Sequence, residues 1–468
     1  MKSRTAAIAV LLSVVASACG ARLTTAQRAA GIGGGRGGGG GAVPTDGATS
    51  GPGATTGPGG TSGPGAGATS GPGGGGVVGG GGCPAGTNTA SDTGVTASQV
   101  TIGTASDQSG VQAALFRSTI EAVRAVTAYI NSTGGICGRT VVNKPYDTKA
   151  ETTANQSAVT QACSETFALV GSMSAFDNGG ADAGERCGIP DLTAITVNGD
   201  RSRAKNVYPI YPVRPDKLPI GPANYIKEKY GSDVIKHAAM FYLNAGVTKS
   251  NALQRVKAYT TVGFDFTYIQ EVQVIEGNYG SFVQKMKDKG IKYVSMVANY
   301  QSIQKLLSAM NDADYYPTVR DWDSVAYSPN FVQQSGQAFK PADGSLVFLN
   351  TSLSEEASGN PEMQLYIQWL SRVAPGSKPD YFGFYAWSAG RLFQKVATTV
   401  GHKLTRSAFL AEVKKIHSWD GNGLHAAHDI GNKIMSPCFM YVEIRSSRFA
   451  RKDPAAGFTC NKGGIVNT

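Results

Sequence analysis

Residues 100–130 read VTIGTASDQSGVQAALFRSTIEAVRAVTAYI, and this stretch decides the fold. VTIGTA (100–105) is a short run of β-branched and small residues, as expected of a strand buried on both faces. A polar turn follows, and from Ala114 the period changes. Leu115, Ile120, Val123, Val126 and Ile130 then fall near one face of a helix, which Asn131 to Gly135 stops with glycine. A strand that passes directly into a helix opens a βαβ unit, and such units build parallel sheets.

The pattern repeats downstream. RTVVNKPY reads as a strand, 150–165 as a helix, FALVG (167–171) as a strand, 176–187 as a helix and IPDLTAIT (189–196) as a strand. A second set begins near Pro215. Strands are expected in HAAMFYL (237–243), FTYIQEVQVI (266–275), YVSMVA (293–298), WDSVAYS (322–328) and SLVFL (345–349). Helices are expected at 248–262, 280–289, 301–311, 361–373, 381–399 and 406–416, with CFMYVEI (438–444) as a last strand. Two doubly wound α/β lobes accommodate these elements better than one sheet of all the strands.

The chain has 468 residues, enough for two lobes with separate cores. Of its 61 glycines, 27 lie in residues 31–82, among TSGPG and TTGPG repeats. With almost no aliphatic surface to bury, the segment 19–92 reads as a disordered linker. Ahead of it, MKSR, the apolar run Ala6–Val15 and ASAC form a signal peptide pattern over 1–18. That run is shorter than the ~20 residues needed to span a bilayer.

Cys19 is the odd one of seven cysteines. It stands where a bacterial lipobox cysteine stands, and ASAC resembles that motif with Ala16 in place of the more usual leucine. Lipidation at Cys19 is the expectation, and plain cleavage after Ala18 the alternative. The other six suit an oxidising compartment. Pairing sequence neighbours gives Cys83–Cys137, Cys163–Cys187 and Cys438–Cys460, each stabilising by roughly 3–4 kcal/mol in the chain-entropy model. The net charge of +10 comes from Lys and Arg scattered among acids. They form no basic stripe with interleaved aromatics, which argues against a nucleic-acid partner.

Several stretches carry a resemblance. VTIGTASDQSG, AVTAYINSTGGICGRTVVNKPYDTKAET and ALVGSMSAFDNGGADAGERCGIPDLTAITVN resemble the opening lobe of type I periplasmic binding proteins, in particular the branched-chain amino-acid receptors of ABC transporters. YPIYPVRPDKLPIGPANYI resembles their crossing into lobe two, and PDYFGFYAWSAGRLFQKVA the return to lobe one. GNYGSFVQKMKDKGIKYVSMVANYQSIQKLLSAMNDADYYP resembles a helix–strand–helix of the second lobe. The resemblance spans roughly 94–445. It implies two parallel-sheet lobes joined by a three-segment hinge, lobe one at 94–213 plus 342–425 and lobe two at 214–341 plus 426–468.

In open α/β sheets ligands sit at the carboxyl ends of the strands. The residues there include Ser106, Asp107, Gln108, Ser109, Ser172, Ser174, Thr193, Thr196 and Asn198 in the first half. In the second they include Tyr242, Asn244, Asn299, Tyr300, Tyr327 and Ser328. The resemblance implies that Ser174 and Thr196 hold a ligand carboxylate and that Tyr300 faces the ligand; Ser109, Tyr242 and Ser328 complete the expected set. Helix capping is the alternative role for the hydroxyl residues. The acid with which lobe two of amino-acid receptors pairs the ligand's ammonium has no counterpart in VAYSPN. Asp323 is placed inside the strand, and Asp107 is a candidate substitute.

Other patterns are weaker. His425, His428 and Asp429 lack a further ligand for a metal. GSMSA is not a nucleophile elbow, and GGGRGGGGG lacks the lysine of a phosphate loop. The expectation is therefore a binding protein rather than an enzyme, without metal or cofactor. It would be anchored to the outer face of the cell membrane by Cys19 and would pass a small polar ligand (an amino acid, amide or relative) to an ABC permease. A sensor of the same fold is the alternative, and a secreted hydrolase the remoter one.

Overall fold

The computed structural model describes residues 82–468 apart from 111 and 112. The expected signal peptide, Cys19 and the linker up to residue 81 lie outside the described residues. The linker expected to reach residue 92 stops earlier. Cys83 is bonded to Cys137, Asn88 donates to the Cys137 carbonyl (2.9 Å), and Ser91 donates to the Leu404 carbonyl (2.6 Å). These contacts fasten residues 83–92 to the first lobe.

That lobe contains β1 (Gln99–Ser106), α1 (Ala113–Ser132), β2 (Thr140–Asp147), α2 (Thr152–Glu165), β3 (Ala168–Val170), α3 (Ala181–Cys187) and β4 (Asp191–Leu192). The strands are all parallel, in the order β2-β1-β3-β4. β1 is buried along nearly its whole length, as its apolar run requires, whereas edge strand β2 alternates between buried and exposed residues. On α1, Phe116, Val123, Val126 and Ile130 are buried and Arg117 and Arg124 exposed. Gly171 ends β3 with φ +64°, and a Cβ there would lie 2.4 Å from Val123. Only glycine lets strand and helix approach so closely.

The chain then crosses through α4 (Gly199–Arg203), β5 (Lys217–Pro219), α5 (Gly221–Tyr230) and α6 (Ser232–Lys236). The second lobe follows, with β6 (Ala238–Leu243), α7 (Thr248–Thr260), β7 (Phe266–Val272), α8 (Tyr279–Asp288), β8 (Tyr293–Val297), α9 (Tyr300–Asp312) and β9 (Val319–Trp322). A hairpin of β10 (Gln333–Gln334) and β11 (Gln337–Ala338) leads to β12 (Leu346–Leu349). Next come α10 (Pro361–Val373), α11 (Tyr381–Val400) and α12 (Arg406–Val413), and finally β13 (Met440–Arg445), β14 (Arg448–Asp453) and β15 (Ile465–Asn467).

The second sheet has the order β14-β13-β12-β9-β8-β6-β7. β12 pairs parallel with β9 and antiparallel with β13. The stretch around 346–349, expected to belong to lobe one from residue 342 onward, thus stays in the second lobe, and the chain returns only after Leu349. α10, α11 and α12 then pack on the first lobe. Phe382 meets Phe116 edge-on at 5.1 Å, Trp387 lies 5.9 Å from Tyr129, and Phe409 lies 5.5 Å from Phe167. β15 pairs antiparallel with β5 at the first crossing.

Three elements are shorter than their sequence suggests. The helix expected at 176–187 begins only at Ala181, the strand at 189–196 joins the sheet only over Asp191–Leu192 with a separate bridge from Ile195 to Tyr211, and the strand expected in 322–328 has already ended at Trp322. The structure joins Cys163 to Cys187 and Cys438 to Cys460 in addition to Cys83–Cys137. No helix of the described residues is long and apolar enough to cross a membrane.

Candidate functional site

A cavity of about 290 Å³ opens where strands of both sheets end. The first lobe contributes Leu115 and Phe116 from α1, Met173, Ala175 and Phe176 after β3, and Ile195–Val197 after β4. The second contributes Leu243 and Ala245–Thr248 after β6, Val297–Asn299 after β8 and Asp323–Val325 after β9. All three crossings reach it as well: Tyr211 and Val213 on the first, Asn350 on the second and Ser436–Phe439 on the third. The wall is mostly hydrocarbon and aromatic surface.

Arg255 and Asp323 alone carry charge among the described lining residues, and they form an ion pair with each other. Arg255 also stacks over Phe348, 5.0 Å from the ring centroid. Burial works against its charge, but Asp323 beside it prevails and holds the guanidinium above its usual pKa. Asp323 is the cap of a single 3-10 turn (Ser324–Ala326) rather than a residue within the strand, as expected from the sequence. This places an acid in the cavity after all. Tyr211 stacks on Tyr385 at 5.4 Å, and the Tyr385 hydroxyl donates to Asn350 Oδ1 (2.7 Å). Burial, reinforced by Asp323, raises the Tyr211 phenol to about 12.

Of the six expected ligand residues only Thr196 lines the cavity, and its hydroxyl donates to the Val213 carbonyl (3.2 Å). Ser174 Oγ is directed at Asp107 (2.8 Å). Ser109 is exposed, with its hydroxyl on Asp147 Oδ2 (2.5 Å). Tyr242 is buried with Met240, Ala252 and Val297. Tyr300 opens α9 and packs, half-buried, against the main core, and Ser328 Oγ accepts from the Asn330 N–H (3.3 Å). None of these five reaches the cavity.

The hydrogen-bond donors at the ends of the first-lobe strands are occupied by the protein's own carboxylates. Asp107, expected as a possible ammonium partner, is fully buried. It accepts from Ser174 Oγ, the Ala175 N–H (2.9 Å), the Ala150 N–H (3.0 Å) and Thr148 Oγ1. Asp177 accepts from the N–H groups of Val197 (2.8 Å) and Asn198 (2.9 Å) and from Asn198 Nδ2 (2.7 Å). Burial raises Asp177 to about 6 against the pull of those donors.

The His425–His428 pair lies outside the cavity wall. The rings stack at 5.3 Å, with Nε2 of His425 on Ser388 Oγ (2.9 Å) and Nδ1 of His428 accepting from the Ser436 N–H (2.8 Å). No cluster of three or more metal-ligating side chains occurs among the described residues. Sequence reasoning missed Arg255 and Tyr211. Arg255 lies mid-helix on α7, where it reads as a solvated surface charge, and Tyr211 lies in an irregular crossing.

A family model described as periplasmic binding protein matches residues 99–448. A search of curated proteins gives no match. Among solved structures, the chain is similar to a fatty acid ABC transporter substrate-binding protein from Thermomonospora curvata. The two share 15% identity over 78% of this chain and 94% of the other, with a TM-score of 0.66. It is also similar to the branched-chain amino acid transporter substrate-binding protein LivJ of Streptococcus pneumoniae in complex with isoleucine, at 15% identity over 79% and 99% of the chains and a TM-score of 0.63. A third is the solute-binding protein of an ABC transporter from R. palustris in complex with 4-hydroxybenzoate, at 14% identity over 76% and 95% and a TM-score of 0.62.

Proposed function

The chain belongs to the periplasmic binding protein family, and on that premise we propose that it captures a small solute in the cavity between its lobes and delivers it to an ABC permease. One observation carries this reading: strand ends from both sheets and all three crossings converge on a single chamber. A ligand there bridges the lobes. It favours the closed arrangement by its differential affinity for closed over open.

The residues proposed to contact it are Thr196, Tyr211, Arg255, Asn299, Asp323 and Asn350, set in a wall of aromatic and aliphatic side chains. Such a wall suits a ligand with a sizeable apolar body, more apolar than the hydroxyl-rich strand ends imply. Two of the similar proteins were solved with isoleucine and 4-hydroxybenzoate, each an apolar body bearing polar ends, which is in keeping with this reading. Outside the cytoplasm, Cys19 would serve as the lipid attachment point and the glycine-rich segment as the tether. One acyl chain anchors only marginally, so stable attachment requires several.

Thermal-shift screening of the full chain tests the proposal. A true ligand at 100 times its dissociation constant stabilises by about 2.7 kcal/mol. Ala175→Trp, which fills the cavity from the end of β3, should abolish that stabilisation while the unliganded protein stays folded. An unchanged ligand response in this variant would place the binding site elsewhere. Cys19→Ala should release the protein from the membrane fraction.

A further inference from the structure

We infer that the ligand is an uncharged molecule, an apolar body carrying a hydrogen-bond donor beside an acceptor, and neither an α-amino acid nor another ion. The inference rests on reading the cavity as the ligand site. It starts from two places where the protein satisfies its own polar groups.

The first is at the ends of β3 and β4. The donors that a ligand carboxylate would meet on this side of the cavity are the Ser174 hydroxyl and the N–H groups of Ala175, Val197 and Asn198. Asp107 holds the first two and Asp177 the others. A second carboxylate would have to displace a buried one, stranding charge away from water, which is costly.

The second place is the ion pair. Asp323 is the acid available to a ligand's ammonium and Arg255 the cation available to a ligand's anion, but each already neutralises the other. An anion that reached Arg255 would lie beside Asp323, and a cation that reached Asp323 would lie beside Arg255. A zwitterion would have to part the two charges to pair with each, giving up their mutual attraction, and its carboxylate would still find the first-lobe donors taken. A neutral group with opposite hydrogen-bonding ends leaves the pair intact. Its acceptor takes an N–H of the guanidinium, and its donor gives to the carboxylate. A carboxamide or a lactam has this arrangement. Burying its hydrocarbon against Phe116, Phe348 and Tyr381 then drives binding.

Two matched series supply the test, each a single hydrocarbon body with four head groups. One comprises phenylacetamide, phenylacetate, phenethylamine and phenylalanine; the other isovaleramide, isovalerate, isopentylamine and leucine. Titration calorimetry on the full chain should show an amide binding at least ten-fold tighter than its three charged counterparts. Asp323→Asn, checked for an unchanged fold by circular dichroism, leaves Arg255 uncompensated and should turn the preference toward the carboxylate by ten-fold or more. If that variant does not fold, the wild-type ranking decides alone.

A carboxylate, amine or amino acid that binds the wild type as tightly as the amide overturns the inference and leaves the solute-binding reading standing. If no member of either series binds, mass spectrometry of the protein purified from its own host decides. A neutral co-purifying molecule supports the inference, a charged one overturns it, and the absence of any bound molecule counts against both readings.

Discussion

The loops at the ends of the two sheets contain similar residues and use them differently. After β1, β3 and β4, most hydroxyls and N–H groups turn inward onto Asp107 and Asp177, and the side of the cavity they support is left mostly apolar, with Thr196 as its polar exception. After β8 and β9, Asn299 and Asp323 line the cavity together with Arg255 from α7, although Tyr242 and Ser328 do not reach it. On the proposed function, the first lobe is a prefabricated platform and the second supplies most of the polar contacts that would discriminate among ligands. Hydroxyl-rich loops alone do not mark a binding site; what their donors are already bonded to decides.

The contrast breaks most directly at Asp107. Asp107→Ala strands the N–H groups of Ala150 and Ala175, which unlike the Thr148 and Ser174 hydroxyls cannot rotate away, and at about 1–3 kcal/mol each should cost about 2–6 kcal/mol in chemical denaturation. A small loss would mean that the first-lobe loops are not self-satisfied. Replacing Cys163 and Cys187 together by serine cuts the link between α2 and α3 in the same platform. It should cost about 3 kcal/mol in the chain-entropy model and leave ligand affinity within about two-fold. A large affinity change would show that the platform takes part in recognition.

Protonation probes the seam between the regions, because His425 packs beside Tyr385, whose hydroxyl holds Asn350. Burial lowers His425 from 6.5 to about 4. The unfolded chain takes up this proton first as the medium acidifies. The contribution is therefore present above pH 6.5 and lost as pH falls toward 4, amounting to about 3 kcal/mol. His425→Gln should remove about one proton's worth of slope from the plot of stability against pH. An unaltered slope would assign the acid sensitivity to other groups. The smallest effects belong to Ser328→Ala, whose buried hydroxyl accepts one hydrogen bond and should cost about 1 kcal/mol of stability, and to the exposed Ser109→Ala, at no more than about 0.5 kcal/mol, with affinity unchanged in both. A ten-fold loss of affinity in either would restore these residues to the site.

The βα alternation was legible because Val100–Ile130 switches period within a single polar turn, and each later unit repeats the switch. Sheet membership was not. SLVFL suits either lobe, and only its pairing with β9 and β13 assigns it. The polar edge strand β14 (RFARKD) carries almost no apolar pattern to betray it. The site suffered from the same gap. Whether Ser174 serves a ligand or Asp107 depends on a contact spanning 67 residues of chain. Asp323 was misplaced because the strand ends a single residue before it.

The chamber's walls include all three ropes on which the halves hang: Tyr211 on one, Asn350 on another, Ser436 to Phe439 on the last. On the proposed function, occupancy and swivel become a single mechanical variable. A guest that swells the chamber must tug every rope at once, so a membrane partner could sense the cargo from the outline of the carrier without ever touching the molecule inside.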